Sequence, residues 1–174
     1  MSNVDLSGVR DFDFLLGTWR VTHHRLVGRL TGATEWDTGY GIDIIRPAFN
    51  GLGNIGCFRR DLNGEHYEGA PIRLYDPRDG LWRIYWLDTA EYRMEPPVVG
   101  RFVEGEGEFI GDDVLREMPI KVRYRWTLIT TNSATWDQSY SADEGKTWEQ
   151  NSIMEFKRDD LVCDDMRPPF GPYE

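Results

Sequence analysis

The residues best suited to chemistry are a histidine, an arginine and a tyrosine whose positions predict that they face one cavity. His23 and Arg25 are two residues apart, so their side chains leave the same face of a β-strand. Tyr124 lies in a second alternating segment, residues 122–128. Histidine can transfer a proton and arginine can stabilise an anion, which is the chemistry of isomerases, cyclases and lyases. These three are the candidate catalytic residues of an enzyme that needs no cofactor.

Motifs for other kinds of chemistry fit this chain poorly. Residues 51–56 match the glycine fingerprint of dinucleotide sites, but no helical pattern follows to receive a pyrophosphate. Residues 141–148 match the Asp-box hairpin of β-propellers, yet the motif occurs once and a propeller repeats its blade. The sequence also lacks a Gly-x-Ser-x-Gly elbow for a serine nucleophile. We therefore expect no nucleotide cofactor and no covalent nucleophile.

The histidines and cysteines do not predict a metal site. His23 and His24 are neighbours on a strand and face opposite sides, so they cannot easily ligate one ion together. Cys57 and Cys163 are far apart and outside any Cys-x-x-Cys spacing, which indicates two free thiols in a reducing compartment. We expect no metal and no disulfide.

Size and charge limit the partners. With 174 residues, 40% of them hydrophobic, the chain can bury one core and fits a single domain. The 30 acidic residues outnumber the 20 lysines and arginines, and the formal net charge of −10 repels nucleic acids and anionic lipid surfaces. No apolar run approaches the roughly 20 residues that span a bilayer, and no signal-peptide pattern opens the sequence. We expect a cytoplasmic protein that binds neither nucleic acid nor membrane.

Apolar residues that alternate with polar ones predict β-strands along almost the whole chain. Clear examples are residues 82–86 and 136–140, and turn signals such as residues 76–80 separate them. The predicted strands are 17–27, 34–46, 52–60, 70–76, 81–88, 98–104, 106–111, 119–130, 134–142 and 147–158. Ten strands joined by mostly short links favour an all-β fold, a closed antiparallel up-and-down β-barrel, because closure removes unpaired edges.

The two ends of the chain differ from this pattern. Residues 6–16 predict a short helix or plug that carries its large apolar side chains into one end of the barrel. After residue 158 the sequence is acidic and rich in proline, which is typical of an extended tail. The prediction is a single domain over residues 1–174, with the barrel at about 10–158 and the tail at 159–174.

The segment FDFLLGTW, Phe12 to Trp19, is similar to the glycine-x-tryptophan opening of lipocalin and calycin barrels. Arg158 closes the last predicted strand, where such families often place an arginine that packs over that tryptophan. The chain from about residue 10 to 158 resembles an uncharacterised family of bacterial proteins with an N-terminal FDFLxGxW motif. The resemblance implies a calycin-like barrel with Arg158 stacked on Trp19, a contact of about 0.5–2 kcal/mol. It implies no activity, because this fold hosts carriers, haem proteins and enzymes.

Some calycin barrels bind haem, so the resemblance raises the question whether this chain has the histidine that haem binding needs. The haem-binding nitrobindin branch looks to carry an axial histidine near its C-terminal strands, where this chain has none. Only His23 could substitute, and a lone histidine on a half-buried strand is typical of a hydrogen-bonded structural residue. We therefore expect no haem and no other cofactor.

The alternation also predicts which side chains face the interior, once Trp19 is placed inward. That interior is mostly aromatic with a few polar groups, which is typical of a small-molecule site. The predicted ligand-binding residues are Trp19, Val21, His23, Arg25, Trp82, Trp86, Tyr124, Trp126, Trp136, Gln138, Tyr140, Met154, Phe156 and Arg158. Aromatic stripes would also form if side chains simply filled the barrel. A barrel without a cavity is therefore an alternative interpretation of the same pattern.

Three classes of function are compatible with these residues. The first is a barrel that binds a small hydrophobic or partly polar molecule, apolar or aromatic, in its cavity. The second is a cofactor-independent isomerase, cyclase or lyase that acts on a small substrate in the same cavity. The third is a protein that acts through a partner or as a homodimer, with Arg83 and Tyr85 facing outward. We predict the binding protein, with the enzyme as the alternative.

Overall fold

The computed structural model describes residues 4–62 and 65–159, and strands form most of them. The ten strands are β1 (Gly17–Leu26), β2 (Trp36–Ala48), β3 (Gly53–Leu62), β4 (Glu65–Asp76), β5 (Leu81–Asp88), β6 (Val98–Val103), β7 (Glu106–Leu115), β8 (Met118–Thr127), β9 (Ser133–Ser141) and β10 (Glu149–Arg158). Two short 3-10 helices, Asp13–Leu15 and Phe49–Gly51, precede β1 and β3.

Each strand pairs antiparallel with its neighbours in sequence, and β10 pairs with β1, so the sheet closes into a barrel. The closing pair places Trp19 opposite Arg158 and His23 opposite Met154. Closure pairs the edges that an open meander would leave exposed. The predicted closed antiparallel barrel of ten strands is confirmed, and its architecture is calycin-like.

Two strands are longer than the alternation predicted, by four residues or more. β4 begins at residue 65 rather than 70, and β7 ends at residue 115 rather than 111. The added residues include charged side chains and, in β4, a glycine, so they carry no clear apolar alternation. The added residues of β4 pair with β3, and those of β7 pair with β8. Pairing within the closed sheet therefore decides their conformation where side-chain preference is weak.

The N-terminal segment closes one end of the barrel, as predicted for a plug. Phe12 and Leu15 are fully buried there, and the Phe12 ring meets the Trp82 indole edge-on at 4.9 Å between centroids. The Trp82 indole N–H donates to the carbonyl oxygen of Gly8 at 3.1 Å. Both apolar packing and a hydrogen bond therefore hold the plug in what we call the closed end.

Contacts of Trp19 and Arg158 stabilise the closed end of the barrel. The guanidinium carbon of Arg158 lies 4.1 Å from the centre of a Trp19 ring, which confirms the predicted stacking. Gly17 makes room for this guanidinium, because its φ is +118° and a Cβ there would lie 2.6 Å from Arg158 Nη1. The guanidinium donates at 2.8 Å to three carbonyl oxygens, those of Phe14, Leu16 and Thr131. One arginine thus joins the plug, the first strand and the turn before β9.

Four expectations from the sequence concern membrane-spanning helices, free cysteines, the C-terminal tail and metal sites. No helix within residues 4–62 and 65–159 is long and apolar enough to cross a membrane. Cys57 is a free cysteine and is half-buried, whereas Cys163 and residues 160–174 of the predicted tail lie outside the described residues. In the part of the chain that the structure describes, no three His, Cys, Asp or Glu side chains form a group that could hold a metal ion.

Candidate functional site

A cavity of about 620 Å³ occupies the half of the barrel away from the plug. Its rim is formed by residues within 25–29, 88–95 and 113–116, at strand ends opposite the closed end. The volume lies within the range of about 300–1,000 Å³ that is usual for small-molecule sites. The barrel is therefore packed at one end and hollow at the other, and side chains do not fill the whole interior.

Aromatic rings form much of the cavity wall. Tyr67 and Trp86 are stacked with an angle of 21° between their planes. Phe58 meets Tyr67 edge-on at 6.2 Å between centroids, and Tyr124 meets Trp136 edge-on at 5.0 Å. Rings arranged in this way leave faces and edges available to a further aromatic group. The wall can therefore pack against a flat apolar molecule.

The Trp86 indole is held in one position from three sides. Its N–H donates to Asp88 Oδ2 at 2.8 Å, and the Tyr67 hydroxyl donates to the same oxygen at 2.8 Å. Gly69 lies under the ring, because a Cβ on Gly69 would lie 2.3 Å from the indole. Burial, and then the bond to Asp88, hold the pKa of Tyr67 well above its usual value, so the hydroxyl keeps its proton. This part of the wall is preorganised.

His23 lies in the cavity wall with both ring nitrogens engaged. Arg60 Nη1 is 3.0 Å from His23 Nδ1, and because a guanidinium only donates, Nδ1 is the acceptor. Nε2 therefore carries the proton and donates to the Ser152 hydroxyl at 2.7 Å. Burial, and then the positive charges of Arg60 and Arg25, lower the pKa of His23 to about 3. His23 is thus neutral and hydrogen-bonded at physiological pH, which does not favour its predicted role in proton transfer.

Glu95 brings a carboxyl group to the cavity that the sequence pattern did not mark. It lies in the loop after β5, and its backbone N–H donates to the carbonyl oxygen of Trp86 at 2.8 Å. The Tyr124 hydroxyl donates to Glu95 Oε2 at 3.5 Å. Burial, and then the charge of Asp113, raise the pKa of Glu95 to about 7. Glu95, rather than His23, can give or take a proton at physiological pH.

Replacing Glu95 by glutamine is expected to reduce the pH dependence of stability between pH 5 and pH 7. The unfolded chain loses this proton near pH 4.5 and the folded protein holds it to about pH 7, so raising the pH across this window lowers the free energy of unfolding. One such group contributes a slope of at most about 1.4 kcal/mol per pH unit. Urea unfolding of both proteins from pH 5 to pH 8 measures the difference.

The control for this prediction is Glu104→Gln, at an exposed turn between β6 and β7. Asp43 and His23 titrate in wild type and variants alike, so the difference isolates the Glu95 carboxyl. Equal slopes for wild type and Glu95→Gln would show that Glu95 does not hold its proton in the folded protein.

Three neighbouring polar side chains, Asp43, Arg73 and Trp126, lie at the inner end of the cavity, and we call them the floor cluster. Each is at most 4% exposed. Arg73 Nη1 donates to Asn54 Oδ1 at 2.9 Å, and the Arg73 guanidinium carbon lies 5.5 Å from the centre of a Trp126 ring. Burial raises the pKa of Asp43 to about 6 and lowers that of Arg73 to about 10, while their mutual attraction opposes both shifts. At neutral pH the two opposite charges stabilise each other inside the barrel.

Within the described residues, one atom of each floor-cluster side chain is buried without a hydrogen-bond partner. These atoms are Asp43 Oδ1, Arg73 Nε and Trp126 Nε1. All three side chains line the cavity. Buried polar atoms in proteins nearly always bond to protein, water or a bound molecule. These three atoms themselves are covered by protein, so the floor cluster borders the cavity with a buried pair of opposite charges rather than with exposed hydrogen-bonding atoms.

Comparison with known proteins gives evidence on the fold of this chain and not on its function. No family model matches this chain, and no curated protein matches it. The S-type phycobiliprotein lyase CPES from Guillardia theta is similar in structure, with a TM-score of 0.58 at 12% identity over 88% of this chain and 94% of that one. This likeness shows a shared β-barrel fold alone.

Two barrels bound to DFHBI also match in structure. EF1p2_mFAP2b has a TM-score of 0.47 at 15% identity, over 88% of this chain and all of that one. The redesigned barrel mFAP0 has a TM-score of 0.46 at 15% identity, over 83% of this chain and 99% of its own. Neither likeness bears on the chemistry of the cavity described above.

The structure brings ten of the predicted ligand-binding residues to the cavity. These ten are His23, Arg25, Trp86, Tyr124, Trp126, Trp136, Gln138, Tyr140, Met154 and Phe156. Trp19, Val21, Trp82 and Arg158 do not line it and lie nearer the closed end. The plug fills the space that alternation alone had assigned to the cavity, because strand parity fixes a face but not a depth. Contact with a ligand stays a prediction for the other ten.

Sequence reasoning missed the charged residues of the cavity, above all Asp43, Arg73 and Glu95. Asp43 shares the inward face of β2 with Gly41 and Ile45, so no apolar stripe marked it. A parity count back from Ile45 would have placed Asp43 inward. Glu95 lies in an irregular loop next to two prolines, where no periodicity exists to predict a direction.

Proposed function

We propose that this protein binds a small, largely aromatic molecule in the barrel cavity. The observation that carries the proposal is a cavity of about 620 Å³ with aromatic walls and with buried polar groups at its inner end. Apolar walls with a few placed polar groups are the usual composition of a small-molecule site.

The fixed positions of the wall residues support this proposal. Trp86 is held by Asp88 and by its packing on Gly69, and Tyr124 packs against Trp136. A wall that is already ordered loses little conformational entropy when a ligand binds, so more of the interaction energy is available for affinity. The aromatic pairs favour a flat ligand, because offset and edge-on ring contacts each contribute about 0.5–1.5 kcal/mol.

The rim of the cavity supports a ligand that is partly polar at its outer end. Arg29 donates from Nη1 to the Tyr140 hydroxyl at 3.2 Å, and Arg93 lies 3.7 Å from Asp113. Charges of both signs therefore stand at the opening, where water also reaches them. A polar substituent at this end of the ligand keeps its hydration or pairs with a rim charge.

Native mass spectrometry of the protein purified from its own source tests the proposal. We expect a stoichiometric small molecule, whose structure follows from extraction, accurate mass and an absorbance scan. An aromatic compound recovered unchanged supports the binding function. Protein that arrives empty and that also fails to bind 8-anilinonaphthalene-1-sulfonate (ANS) would contradict it.

Replacing Trp136 by alanine is expected to weaken ANS binding about five- to twentyfold, because the variant removes a large aromatic face from the wall. The dye's fluorescence increase on titration measures the dissociation constant. Trp148→Ala is the matched control, since Trp148 packs outside the cavity against Arg123, 4.4 Å from its guanidinium carbon. Equal weakening by both substitutions would show that the dye does not bind in the cavity.

Proton transfer is a second candidate function, and Glu95 is the observation that favours it. Its carboxyl group lies on the cavity wall beside Tyr124, and burial raises its pKa to about 7. Such a group can take a proton from one atom of a bound molecule and return it to another, an isomerisation that needs no co-reactant.

Deuterium exchange tests this second function with the molecule extracted from the protein. In D2O, the wild-type protein is expected to incorporate deuterium into that molecule, and Glu95→Gln to slow the exchange at least about 100-fold. The Glu104→Gln variant serves again as the control. A molecule recovered without deuterium from the wild-type protein would exclude proton transfer to carbon and leave the binding function.

Other expectations from the sequence stay predictions. They are membership of the bacterial FDFLxGxW family, a cytoplasmic location, the absence of a cofactor, and the homodimer. The residues Phe12 to Trp19 support the first of them.

A further inference from the structure

We infer that the ligand carries a carboxylate, and that this carboxylate binds Arg25 just inside the mouth of the cavity, on the β1 side. The inference rests on the proposed function, because it names a charged group on the molecule that the cavity would bind. Three arginine side chains on this side of the mouth carry the argument.

These three arginines lie around His23 in the cavity wall. Arg60 Nη1 is 3.0 Å from His23 Nδ1. Arg25 leaves β1 on the same face as His23, and Arg29 follows in the loop after that strand. After burial, the positive charges of Arg60, Arg25 and Arg29 are the largest causes that lower the pKa of His23, so all three charges act on this part of the wall. We call Arg25, Arg29 and Arg60 the basic cluster.

Two members of the basic cluster can be reached from the cavity. Arg25 and Arg29 both line it, and both are only half-buried. Arg29 Nη1 donates to the Tyr140 hydroxyl at 3.2 Å, whereas Arg25 has no hydrogen bond or ion pair with the residues that the structure describes. The N–H donors of a guanidinium form a planar fork that matches the two oxygens of a carboxylate. Arg25 therefore has its donors available to a ligand.

The basic cluster lacks a paired negative charge. No carboxylate that the structure describes lies within ion-pair distance of its three guanidinium groups. Asp37 is opposite Arg25 on β2, but it is exposed, so solvent screens its charge. Glu149 Oε1 accepts from the backbone N–H of Leu30 at 2.6 Å. Neither acidic residue lines the cavity, so the positive charge of the cluster is open to a bound anion.

Arg60 gives a second reason for an anion at this place. It is 6% exposed, and its guanidinium contacts His23 and the Tyr67 ring, the latter at 5.4 Å from the ring centre. Both partners are uncharged at neutral pH, because burial lowers the pKa of His23 and raises that of Tyr67. A buried positive charge without a nearby opposite charge is unfavourable. A carboxylate on Arg25 would offset part of this cost, since charges interact more strongly inside a protein than in water.

The acidic residues of the mouth, in contrast, already have partners. Arg93 lies 3.7 Å from Asp113 and 4.0 Å from Glu91. Asp88 accepts hydrogen bonds from two aromatic side chains, and burial raises the pKa of Glu95 to about 7. A cationic ligand would therefore compete for charges that are already satisfied, and the basic cluster would repel it.

The same acidic residues favour a single negative charge over two. Four of them line the mouth from the loop after β5 and from β7, namely Asp88, Glu91, Glu95 and Asp113. A phosphate group carries nearly twice the charge of a carboxylate at neutral pH, so these residues repel it more strongly. A carboxylate is also planar, which suits the guanidinium of Arg25.

Isothermal titration calorimetry at pH 7.5 with four naphthalene probes tests the inference. The probes are 2-naphthoate, 2-naphthamide, 2-naphthyl phosphate and 2-(aminomethyl)naphthalene, which share one ring system and differ in charge. We expect 2-naphthoate to bind about tenfold or more tighter than 2-naphthamide, because the amide is also planar but has no charge. The phosphate and the amine should both bind more weakly than 2-naphthoate.

The outcomes separate this inference from the proposed function. If 2-naphthamide binds as tightly as 2-naphthoate, or if the phosphate or the amine binds tightest, the inference is overturned and the aromatic cavity stands. If none of the four probes binds while ANS does, the inference is again overturned alone. If ANS also fails to bind, both the inference and the proposed function are overturned.

Three arginine variants assign the preference to Arg25. Arg25→Gln is expected to reduce the ratio of 2-naphthoate to 2-naphthamide affinity at least about fivefold, and Arg25→Lys should restore part of it, since lysine keeps the charge but not the planar fork. Arg101→Gln, at an exposed position of β6, is the matched control and should leave the ratio unchanged. The affinity for 2-naphthamide should stay within about twofold in all three variants, which shows that the cavity is intact. An unchanged ratio in Arg25→Gln, with both probes still bound, would overturn the assignment.

Discussion

Replacing Trp19 by alanine is expected to lower the free energy of unfolding by about 3–5 kcal/mol. The Trp19 side chain is fully buried, and its indole N–H donates to the carbonyl oxygen of Leu15 at 2.6 Å. Its removal leaves a void between the plug and the barrel, and the Arg158 guanidinium loses the ring 4.1 Å away on which it stacks. Urea unfolding followed by far-UV circular dichroism measures the change.

Trp36→Ala is the matched control for the Trp19 variant. Trp36 begins β2 at the open end and is 37% exposed, so the same substitution should cost less than about 1 kcal/mol. ANS affinity should stay within about twofold in the Trp19 variant below its unfolding transition, because Trp19 does not line the cavity. A cost for Trp19→Ala as small as that of the control would contradict its assigned role at the closed end.

Replacing Arg73 by methionine is expected to lower the free energy of unfolding by about 3–5 kcal/mol, because it leaves the Asp43 carboxylate buried without its opposite charge. The loss should be larger at pH 8 than at pH 5. Without Arg73 the folded-state pKa of Asp43 rises further, and a raised carboxyl pKa lowers stability as the pH increases through it. Urea unfolding at the two pH values measures both effects.

Two further variants make the Arg73 prediction specific. The double variant Asp43→Asn/Arg73→Met removes both charges, so we expect it to be more stable than Arg73→Met alone at pH 8. Arg101→Met, at an exposed position of β6, is the matched control and should change stability by less than about 0.5 kcal/mol. A loss for Arg73→Met that is the same at pH 5 and pH 8 would show that Asp43 does not depend on Arg73.

The fold could be predicted from the sequence because its signals are local. Residues 82–86 alternate large apolar side chains with polar ones, and such a pattern fixes both the strand and its inward face. The contact between Trp19 and Arg158 could be expected from motif positions at the first and last strands. Closure of the barrel then follows from the need to pair the edges of a long meander.

The chemistry of the cavity could not be predicted in the same way, because it depends on partners from distant strands. His23 was expected in the interior, but its bonds to Arg60 and Ser152 set its protonation, and those residues lie on β3 and β10. Arg73 is a charged residue in a strand, and only the barrel brings it beside Asp43. Pairing of buried charges is therefore a property of the tertiary structure.

The plug has a practical consequence for finding the natural ligand. One end of the barrel is sealed, so a molecule must enter and leave through the opening at the rim. The end of the bound molecule that lies at the rim therefore stays in contact with water. A bait compound should therefore be attached to a resin through the end that lies at the rim, near Arg29 and Arg93, so that its aromatic part is free to enter the cavity. A bait that is coupled through its opposite end could not place that end in the cavity, so we expect it not to bind the protein.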